Sequence, residues 1–447
     1  TTLINMSADN TSLDSAFITG KDGAAMEAAL KAGKRVTIRV SEEDQTIDNP
    51  TAGQMSVFSS WGAGPSLELK PEITAPGGNI WSSVPDSANA GKPGYVGNYE
   101  MMSGTSMAAP HMSGIGLLVR QRVQAEAAFQ GVSREQEADL VSQLVVSTAI
   151  PQKDETGVYY SPRLQGAGLV NAGAAVDTPA YITVDGQTIG KLELSDDPEK
   201  KGTYDIDYKL HNISENTVKY NVQVVLMRPE VTTTQTQWGD RQVLTTSDVV
   251  LASYDLGQVA AKAGETTAFR QTVSLDANAK ALLDGQYENG SFVEGFVILT
   301  DASGDKNPQL GLPLLAFYGD WTAAPIFDSA NWLEGASSGD YMDLETSWKP
   351  NLVGSMLIAN GSVIGYYNLG QNVFDPTSID EQLTFHAENV TISPDNNGYF
   401  DKIDDFILYQ LRDARLVAVK VTDANTGEVY MQDGVSYLPR TPYDTTY

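Results

Sequence analysis

The hydrophobic pattern of this chain changes period at Pro179, and that change decides most of what it can fold into. Before Pro179, apolar residues recur at helical spacing, as in "EADLVSQLVVSTA" (137–149). After it helical signals nearly vanish, and "TYDIDYKLHNISENTVKYNVQVVL" (203–226), "TTAFRQTVSL" (266–275) and "SFVEGFVILTDASGDKNPQLGLPLLAFYG" (291–319) read as strands. These runs are joined by turn chemistry such as Val184-Asp185-Gly186 and Asp301-Ala302-Ser303-Gly304. The pattern predicts a multidomain chain, α/β first and all-β after. At 447 residues it is long enough for three or four modest domains.

The first part reads as short elements. "SAFITG" (15–20) predicts a strand, "KDGAAMEAALKAG" (21–33) a helix closed by Gly33, and "RVTIRV" (35–40) an alternating strand. A helix is expected from Thr105 to about Ala125. A second starts at Ser133, where Ser133 and Gln136 have the spacing of a capping box. Beyond "GDWTAAPIFD" (319–328) a second strand-rich region runs on.

Bulk chemistry removes several functions. A net charge of −28 makes a nucleic-acid partner untenable, because a polyanion would be repelled. The chain has no cysteine, so disulfides, thiolate metal sites and cysteine nucleophiles are excluded. Apolar runs such as "IGLLV" (115–119) are too short to span a bilayer. "DNNGYFD" (395–401) fails the calcium-loop template, since Gly398 falls early and the twelfth position is Phe406; it is read as a hairpin turn, and no calcium site or other cofactor is assignable. "LPRTP" (438–442) reads as a loop. The cluster "SDDPEKK" (195–201) reads as a solvated turn.

The chemistry concentrates in "MMSGTSMAAPHMSG" (101–114). A serine hydroxyl needs a base to become a nucleophile, and a developing oxyanion needs donors aimed at it. Ser106 would sit in the first turn of a helix, where backbone N–H groups are unpaired and the helix dipole is positive. Gly104 allows close approach of a substrate strand. Ala108, Ala109, Gly114 and Gly116 would keep the helix slim enough to be packed on all sides, and Pro110 removes one helical hydrogen bond. An esterase elbow, G-x-S-x-G, is absent.

"GTSMAAPH" (104–111) resembles the active-serine signature of the subtilisin-like serine proteases, with Ser106 at the nucleophile. "FSSWG" (58–62), "KPEITAPGGNIWS" (70–82) and "GAGLVNAGAAV" (166–176) resemble, in order, the segments that flank that serine. Within the family, the resemblance is to Gram-positive cell-envelope proteinases of the lactocepin and C5a peptidase type. It implies a hydrolase acting on protein or peptide, secreted or held at the cell wall. It also implies that residues 1–47 end an inserted protease-associated-like domain and that residues 48–178 form the C-terminal half of a three-layer α/β catalytic domain. Residues 179–325 would then be a fibronectin-III-like β-sandwich, and residues 326–447 a second, incomplete module. Such modules are expected to fold independently. Ser103, Gly104 and Thr105 would touch substrate.

The base is not legible. His111 lies five residues after Ser106, roughly 140° around the helix axis, and faces away. His211, in "KLHNIS", and His386, in "TFHAEN", do not resemble the family's base motif. The family order is Asp, His, Ser, so the aspartate, the histidine and the oxyanion asparagine are expected upstream of Thr1. "APGGNI" matches a different loop, so Asn79 is not expected to be that asparagine. The opening "TTLINMSADN" lacks an initiator Met, a basic region and an apolar core, and reads as the interior of a longer precursor. The alternative is a surface binding protein with an inactive protease relic.

Overall fold

A computed structural model describes residues 20–37, 51–85, 98–236, 239–287, 289–323, 352–359, 362–368, 405–407, 414–423 and 425–438. The chain divides into two compact units, Thr1–Ala52 and Gly53–Tyr447. In the first, α1 (Gly20–Lys31) ends where Gly33 takes φ 72° and its N–H bonds the carbonyl of Leu30. This is the glycine-closed helix expected from the sequence. Residues 35–37 form no strand, and the rest of "RVTIRV" lies outside the described residues, as does the strand expected at 15–19.

In the second unit, β1 (Ile80–Val84) and β2 (Asn98–Met102) pair as an antiparallel hairpin leading straight into α2 (Thr105–Ala125). Next comes α3 (Arg134–Ser147), opened by the capping box that Ser133 and Gln136 predict. Val119 and Val123 of α2 are one turn apart and meet Leu140, Leu144 and Val145 of α3. Each such side chain, taken out of water, contributes about 1.5–3 kcal/mol. Two short helices close this mixed α/β part: α4 (Pro162–Gln165) and α5 (Ala172–Asp177). A parallel bridge joins Thr74 to Leu169.

The β region follows. β3 (Ala180–Thr183), β4 (Leu192–Asp197), β5 (Thr203–Asn212), β6 (Val218–Thr236), β7 (Gly239–Ala261) and β8 (Thr266–Ser274) precede one helix, α6 (Ala277–Gln286). β9 (Ser291–Asp301) and β10 (Leu310–Tyr318) complete it. A three-stranded sheet, β3-β5-β8, faces a five-stranded sheet, β4-β10-β9-β6-β7, in which only β4 and β10 run parallel. Alternation works as read: Tyr204, Ile206, Tyr208 and Leu210 of β5 point into the shared core while their neighbours face out. The Asp301 turn is real, its carboxylate accepting the N–H groups of Ser303, Gly304 and Lys306. "SDDPEKK" is more than a solvated turn, because Asp196 and Asp197 end β4 and accept the N–H groups of Trp321 and Gly202.

β10 is buried on both faces. One face joins the sandwich core; on the other, Leu315 and Phe317 pack with Ala63, Leu67 and Leu69 of the α/β part. A further cluster joins Val225, Met227, Phe296 and Ile298 to Val158 and Tyr159, and Tyr181 belongs to the core that α2 and α3 build. The sandwich and the α/β part therefore share apolar clusters along a continuous seam. The seam removes apolar surface that the sandwich alone would expose, so it adds to the sandwich's stability whether or not the module can fold independently.

Further on, β11 (Leu352–Ala359), β12 (Ser362–Asn368) and β13 (Asp405–Ile407) form a sheet of order β12-β11-β13, and β14 (Ala414–Thr422) pairs with β15 (Val429–Leu438). The "DNNGYFD" turn, residues 439–442 of "LPRTP", and His386 lie outside the described residues.

Candidate active site

The start of α2 is open. Gly104 is its N-cap, with φ 155° and no side-chain hydrogen bond, so Thr105 and Ser106 are the first two helical residues. The other capped helices differ: Ser133, Ser161, Asn171 and Asp276 accept backbone N–H groups at the starts of α3, α4, α5 and α6. Among the described residues the N–H groups of Thr105 and Ser106 have no acceptor, and the first turn holds no acidic side chain. Ser106 is exposed. Its hydroxyl therefore stands beside unpaired donors and the positive end of a 21-residue helix. Pro110 has no N–H to give, which leaves the carbonyl of Ser106 without its usual partner four residues on.

The turn is held from below. The N–H of Gly104 donates to the carbonyl of Gly77 at 2.8 Å, and Met107 N–H donates back to Gly104 at 3.0 Å. Ser103 Oγ accepts the N–H of Asn79 at 2.8 Å and donates to its Oδ1 at 3.4 Å. Asn79 is in the left-handed region, φ 53°, at the foot of the hairpin where Ile80 pairs with Met102. Ser103 thus holds Asn79 across the strand ends, a juxtaposition the sequence did not announce. The signal available was the "PGGN" turn chemistry just before β1.

Every residue of β2 is exposed, so this strand contributes nothing to a core among the described residues. Trp81 and Tyr99 stack with centroids 6.2 Å apart on the face that Met101 shares. The helix below is less enclosed than its small residues suggested. Leu117 and Leu118 are 65% and 53% exposed, and a Cβ on Gly114 or Gly116 would meet nothing within 4 Å. The small residues leave one side of α2 open among the described residues, where packing on all sides was expected.

The histidines stand as follows. His111 Nδ1 lies 3.0 Å from the carbonyl of Met107, tying the ring to its own helix. His211 is in β5, stacked on Tyr181 at 4.6 Å and bonded to Thr183 Oγ1 and Thr266 Oγ1 at 2.7 and 2.9 Å. Burial, aided by Lys209, holds its pKa below the ordinary value. Neither bonds Ser106. No group of three or more acidic or histidine side chains suited to a metal occurs among the described residues, and no helix among them is long and apolar enough to cross a membrane.

Comparison with known proteins supplies the context for this geometry. Residues 3–168 match the Subtilase family, and residues 192–315 match an Fn3-like domain. The α/β part of this chain is a subtilase segment. It is followed by the β-sheet Fn3-like region, and residues 169–191, which include α5 and β3, lie between the two matches. The C5a peptidase of Streptococcus pyogenes is 30% identical over 326 residues, covering 71% of this chain and 25% of that protein. The PI-type proteinase of Lactococcus lactis subsp. cremoris is 27% identical over 406 residues, covering 88% of this chain and 19% of that protein. The PII-type proteinase of Lacticaseibacillus paracasei is 27% identical over 392 residues, covering 85% and 18%. The chain spans about a quarter or less of the length of these curated relatives. The subtilase segment contains Ser106, both hairpin strands and α2 through α4.

Proposed function

We propose that this chain is part of a subtilisin-type serine endopeptidase, secreted or held at the cell surface, with Ser106 as its nucleophile. The observation that carries this reading is the exposed serine at the uncapped start of α2, inside a segment that belongs to the subtilases. A base removes the Ser106 proton as Oγ attacks the scissile carbonyl. The resulting oxyanion is stabilised by the open N–H of Ser106 and the helix dipole. Collapse passes the proton to the leaving amine and leaves an acyl-enzyme, which water then hydrolyses. Ser103, Gly104 and Thr105 form the edge along which the substrate backbone runs.

The orienting aspartate, the basic histidine and the side-chain oxyanion asparagine come from sequence upstream of Thr1. The engagement of His111 and His211 elsewhere supports this. Residues 1–47 are assigned to the end of an inserted domain and residues 326–447 to a further β-module. In a polypeptide extended upstream to include the aspartate and histidine, Ser106→Ala should lower hydrolysis of a protein substrate by a factor on the order of 10⁴–10⁶. Unchanged hydrolysis would reject the assignment. Absence of hydrolysis in the unsubstituted polypeptide would favour a binding protein with an inactive protease relic.

A further inference from the structure

Glu294 is fully buried on β9, yet its partners come from the subtilase segment. Arg163 of α4 grips it with two nitrogens: Nε lies 3.1 and 3.0 Å from the two carboxylate oxygens, and Nη2 lies 2.7 Å from Oε1. Ser161 Oγ donates to the same carboxylate at 2.6 Å. The guanidinium also rests on the Phe292 ring, 3.9 Å from its centroid. Burial alone would weaken the charge of Arg163, but Glu294, with help from Asp248, holds its pKa above the ordinary value.

Asp248, on β7, brings a second carboxyl into this place. It is 5% exposed, and its Oδ2 has no hydrogen-bond partner among the described residues. The charged groups that face it are Glu294 from β9, Arg163 from α4 and Arg228 from β6. Both guanidiniums are engaged elsewhere, Arg163 with Glu294 and Arg228 with Tyr287 Oη and the carbonyl of Pro229. A buried carboxyl oxygen with no donor to meet it is satisfied most simply when the Asp248 carboxyl itself carries a proton.

We propose that Asp248, Glu294 and Arg163 form a proton-dependent latch between the subtilase segment and the Fn3-like domain. With a proton on Asp248 the latch is closed. Its loss leaves two buried carboxylates beside two guanidiniums that are already engaged, and the seam loosens. Burial first, and then the Glu294 carboxylate, push Asp248 up to about 8 against the pull of Arg163 and Arg228. The closed seam therefore keeps a proton that an opened, hydrated Asp248 gives up in the ordinary carboxylate range. Closure weakens as pH rises from that range to about 8 and levels off beyond it.

The latch is close to the serine turn by way of the backbone. Beyond α4, Ala167 N–H bonds the carbonyl of Glu72, Thr74 N–H bonds that of Gly168, and three residues later Gly77 receives Gly104. Opening the seam releases one end of that run.

Two measurements on the 447-residue chain test the proposal. The first is hydrogen exchange of peptides spanning residues 159–170 and 290–298 at pH 6 and pH 9, corrected for intrinsic exchange. The opening constant should rise by up to about tenfold per pH unit until pH 8, so up to about a hundredfold in all. The second compares thermal melts of wild type and Asp248→Asn over the same pH range. The wild type should melt lower at pH 9 than at pH 6, and Asp248→Asn, whose amide does not titrate, should lose that difference. Equal corrected exchange at the two pH values overturns the latch, as does an Asp248→Asn melt that keeps the wild-type pH dependence. If Asp248→Asn does not fold, wild-type exchange alone decides.

Discussion

The N–H of Gly104 donates to the carbonyl of Gly77 at 2.8 Å, so the residue that starts α2 is pinned to the loop that enters β1. The close approach depends on the missing Cβ of Gly77. One built on Gly77 would lie 2.8 Å from the Gly104 carbonyl oxygen and 3.2 Å from Ala108 Cβ. At Gly104 there is room, but φ 155° is rarely adopted by other residues.

Gly77→Ala should therefore push the serine turn away from the loop, at a cost of about 1–3 kcal/mol. Denaturant unfolding of the substituted chain gives this directly. A midpoint equal to that of the wild type would mean the loop yields freely and does not hold the turn.

Glu294→Ala should be among the most damaging single changes in the seam. It strands the Arg163 guanidinium, of which only 12% of the side chain is exposed, and breaking such a pair costs about 3–5 kcal/mol. Equilibrium unfolding measures the loss; a cost under about 1 kcal/mol would show that the pair adds little to the seam.

Ser133→Ala removes one half of the capping box at α3, where Ser133 Oγ accepts the Gln136 N–H and Gln136 Oε1 accepts that of Ser133. A loss of about 1 kcal/mol is expected. Ser133→Asp should retain most of the stability, because a carboxylate accepts the same bond. If Asp proves as costly as Ala, the cap is not the source of the effect.

Residues 179–323 made alone should melt lower than the same residues within the full chain. Phe292, Leu315, Phe317 and Trp321 would lose the cover of Ala63, Leu67 and Leu69, and Glu294 would lose Arg163. Calorimetry of both polypeptides compares them. A melt as high as that of the full chain would show that the seam adds nothing to the sandwich's stability.

Much of this was legible from local chemistry. Helix α2, the Ser133 cap, the glycine stop after α1 and the alternation in β5 all follow from patterns within a few residues. The seam was not legible, because it depends on pairs such as Arg163 with Glu294, 131 residues apart, and Trp321 with Pro65, 256 apart. β10 carries the only hint, since "LGLPLLAFY" is apolar without alternation and so must be covered on both faces. Small residues in α2 misled in the opposite direction. Gly114 and Gly116 permit close packing, but only the neighbours decide whether packing occurs.

The most direct test is covalent. A polypeptide extended upstream to include the aspartate and histidine is treated with a fluorophosphonate and digested, and the labelled residue is located by mass spectrometry. Ser106 should carry the label, the 447-residue chain alone should react far more slowly, and Ser106→Ala should not react. A label on any other serine, or equal labelling of the Ser106→Ala protein, would contradict the assignment of Ser106 as the nucleophile.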